Sequence, residues 1–570
     1  MSNEKPTDTI AIQQQDYADD DIKAEVLHEE YKDAAAASED VVQKSPFEEL
    51  TFFKTITLFK KATFLALLAA FSAAADGYQI AITGNIIANT GFIEQYGSVI
   101  SSKTGKLALD PQHLAVWGGV QSAAQGSAML SMHLIADRFG RKVGFYVLWV
   151  VLAAGIAAES FGRTWKTWLA AKLFSGFAVG SVQFLTGSYV VDISPPRTRG
   201  FLLLFYSVWY GLGQLCATSA LKAMRDKNPL IYLPLIYSEW GMLGLMAIIY
   251  LVIPESPFWC AARGQHDRGR AIVNRLNGGI PGYDVDFHYG LLRQTVELEQ
   301  KRSKEMTGGE ESFWQTIKNT KEIFVGVNGR RTLIAFMPAA VQQLTGLAVL
   351  SSYSSYFAQM ANFADPFLFT VLLAIVSIGI TLVGAVIIDY FGRRTLFMWS
   401  ACITWITLIL IGTLGVAIKN MPGSVERFVV FLSMVWRMAS TILGDLGWSY
   451  VAEAGSSRLR TKTAGFAACG GVLFGLLFNS TVPYMISQDA ANWGLKTAFF
   501  FAGVSAPLVI GSFFIMPDTS RRTAAELDEM FEKKVKAWRF REYVTDAQKA
   551  MYAEQERNGE RPVTEARANA

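Results

Sequence analysis

The chain has 570 residues, 51% hydrophobic and 18% charged, with a formal net charge of +3 and a mean hydropathy of +0.25. Both ends are polar, so the middle must be far more apolar than this average, which excludes a soluble globular protein and indicates a membrane chain. Four cysteines, Cys216, Cys260, Cys402 and Cys469, lie in or beside apolar runs without metal-ligand spacing, which supports neither a disulfide framework nor a metal site.

Residues 1–60 are acid-rich, with Asp19, Asp20 and Asp21 in a row and no apolar run ahead of them, so a disordered soluble tail is expected rather than a cleaved signal peptide. Apolar segments of spanning length, roughly 17–25 residues each, follow near 63–88, 115–135, 143–161, 165–191, 200–221 and 237–254. A hydrophilic stretch over 255–330, with Arg263, Arg268, Arg270, Arg275, Arg293, Glu297 and Arg302 at helical spacing, predicts short surface helices. Six more apolar segments lie near 331–358, 366–388, 394–417, 428–454, 463–487 and 494–516. The expected organisation is a tail (1–60), a six-helix bundle (61–254), a linker (255–330), a second bundle (331–517) and a tail with a short helix (518–570).

One charged turn is written twice. Asp137-Arg138-Phe139-Gly140-Arg141-Lys142 returns as Asp389-Tyr390-Phe391-Gly392-Arg393-Arg394, each between apolar runs, which predicts two homologous halves. Arg138, Arg141, Lys142, Arg197, Arg199, Arg393, Arg394, Arg458, Arg460 and Lys462 fall in alternate loops, on the side shared with the linker and both tails, so both termini are expected to be cytoplasmic. Asn479-Ser480-Thr481 falls inside a predicted span and carries no meaning as a glycosylation site.

From 63 to 532 the chain resembles the sugar porter family of the major facilitator superfamily. The resemblance is carried by Asp137 to Lys142, Asp192-Ile193-Ser194-Pro195-Pro196-Arg197-Thr198-Arg199-Gly200, Pro254-Glu255-Ser256-Pro257, Gln342-Gln343-Leu344-Thr345-Gly346 and Pro517-Asp518-Thr519, in that order. Within the family it is most similar to fungal maltose and α-glucoside permeases, through Gly213-Gln214-Leu215, Tyr353-Ser354-Ser355-Tyr356-Phe357 and Asn492-Trp493-Gly494-Leu495-Lys496-Thr497. The resemblance implies an all-α membrane protein of twelve transmembrane helices in two pseudo-symmetric six-helix bundles, the major facilitator fold. It implies a plasma-membrane carrier, functional as a monomer, that moves a small molecule such as a sugar, with protons as co-substrate and with no cofactor or nucleic-acid partner.

Such a carrier must let its halves grip each other at one face in one state only. The implied gate comprises Asp137, Arg138, Arg141, Lys142, Asp192, Arg199, Glu255, Asp389, Arg393, Arg394, Glu453 and Arg460, with Asp192 pairing to Arg393 and Glu453 to Arg199 across the halves. The plainer reading, that the basic residues only set topology, leaves the matched acids unexplained. Amide side chains both donate to and accept from hydroxyls, and aromatic faces suit the apolar side of a pyranose. The substrate candidates are therefore Gln342, Gln343 and Trp448, followed by Tyr353, Gln214, Ser207 and Gln79; interhelical hydrogen bonding and packing are the alternatives.

The departures bear on cargo and energy coupling. Ala348 stands where the family carries Asn, Asp445 and Gly447 where it carries two prolines, Gly471 and Val472 where it carries Asn and Trp, and Ser207 where it carries Gln. His133 replaces a glycine four residues before Asp137. In proton-coupled members an Asp follows Gly-Tyr, whereas Gly77-Tyr78 is followed by Gln79, and Asp76 lies three residues earlier. An ionisable side chain inside an apolar span is functional by default, so Asp76 is expected to carry the proton, with Asp445 as alternative or partner. The competing reading is a carboxylate satisfied by a neighbouring hydroxyl, amide or Lys172. A carrier of a non-sugar solute on the same scaffold and a non-transporting sensor remain as alternatives; an enzyme is disfavoured, since no nucleophile–base set, phosphate loop or metal cluster is visible.

Overall fold

The computed structural model describes residue 47 and residues 51–101, 105–307, 320–361, 363–417, 423–455, 460–520, 522, 524–545 and 549. Most of the N-terminal tail lies outside the described residues. So do 308–319 of the linker and the side chains of Asp389, Trp448, Glu453 and Arg460.

The first half runs through α1 (Lys60–Ala70), α2 (Ser72–Asn85), α3 (Pro111–Phe139), α4 (Arg141–Phe161), α5 (Trp165–Ile193), α6 (Arg199–Lys227) and α7 (Leu233–Val252). The linker forms α8 (Pro257–Ala262), α9 (His266–Asn277) and α10 (Val285–Thr307), and the stretch before α1 already holds a short helix, Phe52–Leu58. The second half comprises α11 (Gly326–Leu344), α12 (Leu347–Ser351), α13 (Ser354–Met360), α14 (Pro366–Phe391), α15 (Arg393–Ala417), α16 (Gly423–Ala454), α17 (Arg460–Ile486) and α18 (Thr497–Ile515), followed by α19 (Ala524–Glu532). A two-stranded hairpin, β1 (Val99–Ile100) with β2 (Leu107–Ala108), is the strand structure among the described residues.

Ten helices of the described residues are long and apolar enough to cross a membrane, α1 and α2 counting together as one. The other two predicted spans are also helical. Helix α3 is long enough but carries His113, Gln121, Gln125, His133 and Asp137, and the segment predicted over 331–358 is broken into α11, α12 and α13. The break falls at Gly346, whose φ of +86° is the left-handed region that favours glycine, with Trp436 and Phe501 packed where a Cβ would stand.

The sequence repeat becomes a structural one. Helices α3 and α14 both start on an Asp-Pro pair: Asp110 accepts from Gln112 N, and Asp365 accepts from Phe367 N and Leu368 N. Each proline sits at the first turn, where its missing N–H would have had no partner. Both helices end at Phe-Gly, with Gly140 at φ +108° and Gly392 at φ +82°, and the next helix starts at once on Arg141 or Arg393. Trp149 Nε1 donates to Leu243 O at 2.9 Å in the first half, and Trp405 Nε1 donates to Ala502 O at 2.9 Å in the second.

The buried apolar clusters show where the halves meet. At the face away from the charged turns, one cluster crosses between them and includes Ile82, Trp117, Tyr353, Phe357 and Phe478. Toward the turns each half keeps its own, around Phe145, Tyr189 and Tyr250 in the first and around Phe397, Tyr450 and Phe531 in the second. The C-terminal segment is part of the latter: Leu527, Met530 and Phe531 of α19 are buried, and Arg331 pairs with Asp528.

Candidate functional site

At the turn face the first-half acids Asp137 and Asp192 are held by Arg141. Arg141 Nη1 donates to Asp137 Oδ1 at 2.7 Å, and its Nε lies 3.4 Å from Asp192 Oδ2, which also accepts from Ser256 Oγ at 2.8 Å. The Glu255 carboxylate lies beside Gly140 and accepts from Lys142 N at 3.1 Å and from Ser256 N at 2.9 Å. Asp518 occupies the matching place beside Gly392. Arg393 Nη1 donates to Thr519 Oγ1 at 3.3 Å, Arg394 to Phe513 O at 2.9 Å and Arg199 Nε to Ser194 O at 3.3 Å, while Arg138 stacks on Phe139. The expected pairing of Asp192 with Arg393 is therefore corrected for this conformation: Asp192 is satisfied by Arg141 of the first half and by Ser256 at the start of the linker. Glu453, the expected partner of Arg199, and two further gate residues, Asp389 and Arg460, have side chains outside the described residues.

Behind the turns, burial pushes the Cys260 thiol up to about 11 and the Tyr283 phenol up to about 12, so both stay protonated near neutral pH.

At the opposite face the halves are joined by hydrogen bonds. Asn85 Oδ1, at the end of α2, accepts from Ser354 Oγ and Ser355 N, both at 3.0 Å, and Ser355 Oγ donates to Asn85 O at 3.0 Å. Tyr353 OH donates to Asn479 O at 2.9 Å, and Asn479 Nδ2 donates to Ser122 Oγ at 2.8 Å. Arg225 and Lys222 hold Asp365 at 2.7 and 3.5 Å. A cavity of about 60 Å³ remains between the halves, lined by Thr83, Trp117, Gln121, Lys172, Tyr353 and Asn479 among others. That is room for a few water molecules and not for a sugar.

Inside the first bundle lies a chain of polar contacts. Asp76, 2% exposed, accepts at Oδ2 from Tyr206 OH at 2.9 Å and Gln183 Nε2 at 3.2 Å, while its Oδ1 has no partner. Gln125 Nε2 continues the chain to Gln183 Oε1 at 2.9 Å. Of the neighbours offered for Asp76 as an inert carboxylate, a hydroxyl and an amide are there. Lys172 instead keeps company with Glu159 and Glu239.

Several expected substrate residues are otherwise engaged. Gln79 Nε2 donates to both Glu159 oxygens, at 3.0 and 3.1 Å, inside the first bundle, so its amide faces an internal carboxylate rather than the space between the halves. Gln342 Nε2 donates to Ser440 O at 2.9 Å, which is the interhelical role named as its alternative. Tyr353 is buried in the closed face, and Gln214 Nε2 donates to Tyr210 OH at 3.2 Å. Gln343, Ser207 and Asp445 are half-buried. The side chain of Trp448 lies outside the described residues.

Sequence reasoning missed Glu159, Glu239 and Arg437, all buried. Arg437 carried a signal, as a charge in the middle of the apolar run 428–454. Glu159 and Glu239 lie near helix ends, where hydropathy alone reads a charge as a boundary.

Comparisons with known proteins agree on the class. The family described as "Sugar (and other) transporter" matches residues 65–531. The maltose permease MAL61 of Saccharomyces cerevisiae is 27% identical over 545 residues, covering 93% of this chain and 85% of its own. The MFS transporter fmqE of Aspergillus fumigatus is 25% identical over 477 residues, covering 83% and 86%. Among solved structures, the inward open conformation of the xylose transporter XylE from E. coli superposes with a TM-score of 0.63 at 17% identity, covering 82% of this chain and 99% of that one.

Proposed function

This chain belongs to the sugar (and other) transporter family, a multi-pass membrane protein of the major facilitator fold, and from that premise we propose that it is a secondary carrier for an α-glucoside or another oligosaccharide, working by alternating access with proton symport. The observation that carries this reading is the division of contacts between the two faces. Hydrogen bonds and one continuous apolar cluster join the halves at the face of Asn85 and Ser355, whereas Asp192, Glu255 and Arg141 at the turn face bond within one half. A molecule sealed at one face, with charged groups ready to exchange partners at the other, is one stage of an alternating cycle. The basic turns support a cytoplasmic location for the second face and both termini, and the plasma membrane is the proposed location.

Asp76 is the proposed proton carrier. It is enclosed, holds two neutral donors and leaves one oxygen free, so a proton can be accepted there without breaking an ion pair. Asp445, half-buried on α16, is the second candidate. The proposed gate includes Glu453, Asp389 and Arg460 by their place in the repeated motifs. The test is uptake of labelled maltose by cells without α-glucoside carriers of their own. Accumulation driven by an imposed proton gradient and lost in Asp76→Asn supports the reading; maltose accumulation unchanged in that variant removes Asp76 from it.

A further inference from the structure

The sugar-carrier reading, on which this step rests, leaves one buried charge without a task. Arg437 lies near the middle of α16 and is 7% exposed. Its Nη2 donates to Gln214 Oε1 at 3.2 Å and to Ser377 Oγ at 3.3 Å, the first acceptor from α6 of one half and the second from α14 of the other. Its Nε is enclosed without a partner. Both acceptors are neutral, and no carboxylate of the described residues lies within 4.0 Å of the guanidinium. The nearest acid on its own helix, Asp445, is eight residues on, about 12 Å along the axis.

A buried cation facing only neutral acceptors is costly, and inside a membrane such a group is retained for an anion that comes to it. A guanidinium offers five N–H donors in a planar fork that matches the two oxygens of a carboxylate, and most of this fork is uncommitted here. Around it stand neutral hydroxyl and amide groups suited to a polyhydroxy body. Ser377 and Thr441 share a hydrogen bond of 3.2 Å, and Tyr210, bonded to Gln214, neighbours both Arg437 and Asp76. We propose that the cargo carries a carboxylate on a sugar-sized polyhydroxy frame, an acidic sugar, and that Arg437 is the residue that recognises the carboxylate at the contact between the halves.

Tyr210 links this site to the proton relay at Asp76. A cargo with one negative charge, taken up with one proton, crosses without net charge, so its accumulation follows the pH gradient and not the membrane potential.

The test uses the full chain in proteoliposomes and compares counterflow of radiolabelled D-galacturonate and D-glucuronate with that of maltose and D-galactose, and with quinate as a hydroxy acid that is not a sugar. The expected result is carriage of a uronate at least tenfold faster than of either neutral sugar. Arg437→Gln should lower uronate flux at least tenfold, and Arg437→Lys should retain part of it. Should Arg437→Gln fail to fold, Gln214→Glu supplies an internal carboxylate for Arg437. It is expected to block uronates in a monodisperse protein, and normal uronate flux in that variant overturns the proposal. Carriage of maltose or galactose with no carriage of, or competition by, the uronates overturns the acidic cargo and leaves the sugar reading standing. Carriage of quinate alone, dependent on Arg437, keeps the carboxylate site and overturns the sugar. A monodisperse protein that carries none of the probes overturns both.

Discussion

Tyr189 and Tyr450 make the same hydrogen bond in the two halves: the hydroxyl of the first donates to Pro254 O at 2.8 Å and that of the second to Pro517 O at 2.9 Å. Each stands three residues before an acid, Asp192 or Glu453, and each accepting proline precedes another, Glu255 or Asp518. The bonds therefore fix the two acid-bearing segments of each half to one another. Tyr189→Phe and Tyr450→Phe should each cost about 1 kcal/mol, the usual net worth of one buried hydrogen bond. The check is the apparent melting temperature of the purified protein, which should fall by similar amounts in the two variants.

The turn glycines should tolerate no side chain. At φ +108° and +82°, alanine in place of Gly140 or Gly392 is strained by roughly 1–3 kcal/mol, and its Cβ would also press on the Glu255 or Asp518 carboxylate. Gly140→Ala and Gly392→Ala are expected to reduce the amount of folded protein and the transport rate per molecule. Quantitative expression at the membrane together with uptake separates the two effects.

Asn85→Ala removes the side-chain acceptor of two hydrogen bonds across the sealed face. At about 1 kcal/mol for each bond, the equilibrium should shift toward opening of that face by on the order of 10-fold or more. A cysteine placed at Gln121, which lines the cavity, should then react faster with a membrane-impermeant thiol reagent, in a background lacking the four native cysteines. Unchanged labelling would show that Asn85 is not part of the lock.

Transport should respond to pH through Asp76. Protonation is needed on the side of uptake, so the wild-type rate should rise as external pH falls, and Asp76→Asn should flatten the profile while leaving exchange of substrate between two filled compartments. Tyr206→Phe, which removes the 2.9 Å hydrogen bond to Asp76 Oδ2, should move the midpoint without abolishing accumulation. Initial-rate uptake over a pH series reads both.

The C-terminal helix is expected to be needed for stability. Arg331, 3% exposed, pairs with Asp528 and lies 4.6 Å from the centre of the Phe531 ring. Truncation after Ser520 strips the buried charge of its partner and exposes the cluster around Phe397, a loss of roughly 3–5 kcal/mol. Asp528→Asn isolates the charge contribution. Both variants should lower yield and melting temperature, truncation more.

The architecture was legible in the sequence because a membrane demands long apolar runs, and because the Phe-Gly turns mark the same helix end twice. All twelve predicted spans are helical, including α3, whose polar face meets the other half through Ser122 and Asn479. Side-chain direction was much less legible. In a helix surrounded by apolar lipid and apolar protein alike, hydrophobic periodicity does not tell which face meets which neighbour. Gln79 was therefore expected at the substrate and lies against Glu159, and Gln342, expected at the substrate with interhelical bonding as its alternative, bonds to Ser440 O. Asp192 was assigned a partner in the other half because motifs carry no information about conformational state. Arg437 was visible as a charge in an apolar run, but its neutral surroundings emerge only when α6, α14 and α16 are brought together.

The break at Gly346 makes the two faces mechanically unlike. In the first half, α2 reaches Asn85 as one continuous rod, whereas its counterpart across the seal is two short pieces, α12 and α13, hung on a left-handed glycine after α11. A rod resists bending and a jointed strap does not. Release of the Asn85–Ser355 contact can therefore proceed by folding back residues 347–360, before either bundle turns as a body. At the turn face α3 and α14 each end in a glycine and reverse at once into the next helix, so at these two turns the face opens only as whole helices move. One face therefore has a joint at which to yield, and the other, at its two glycine turns, does not.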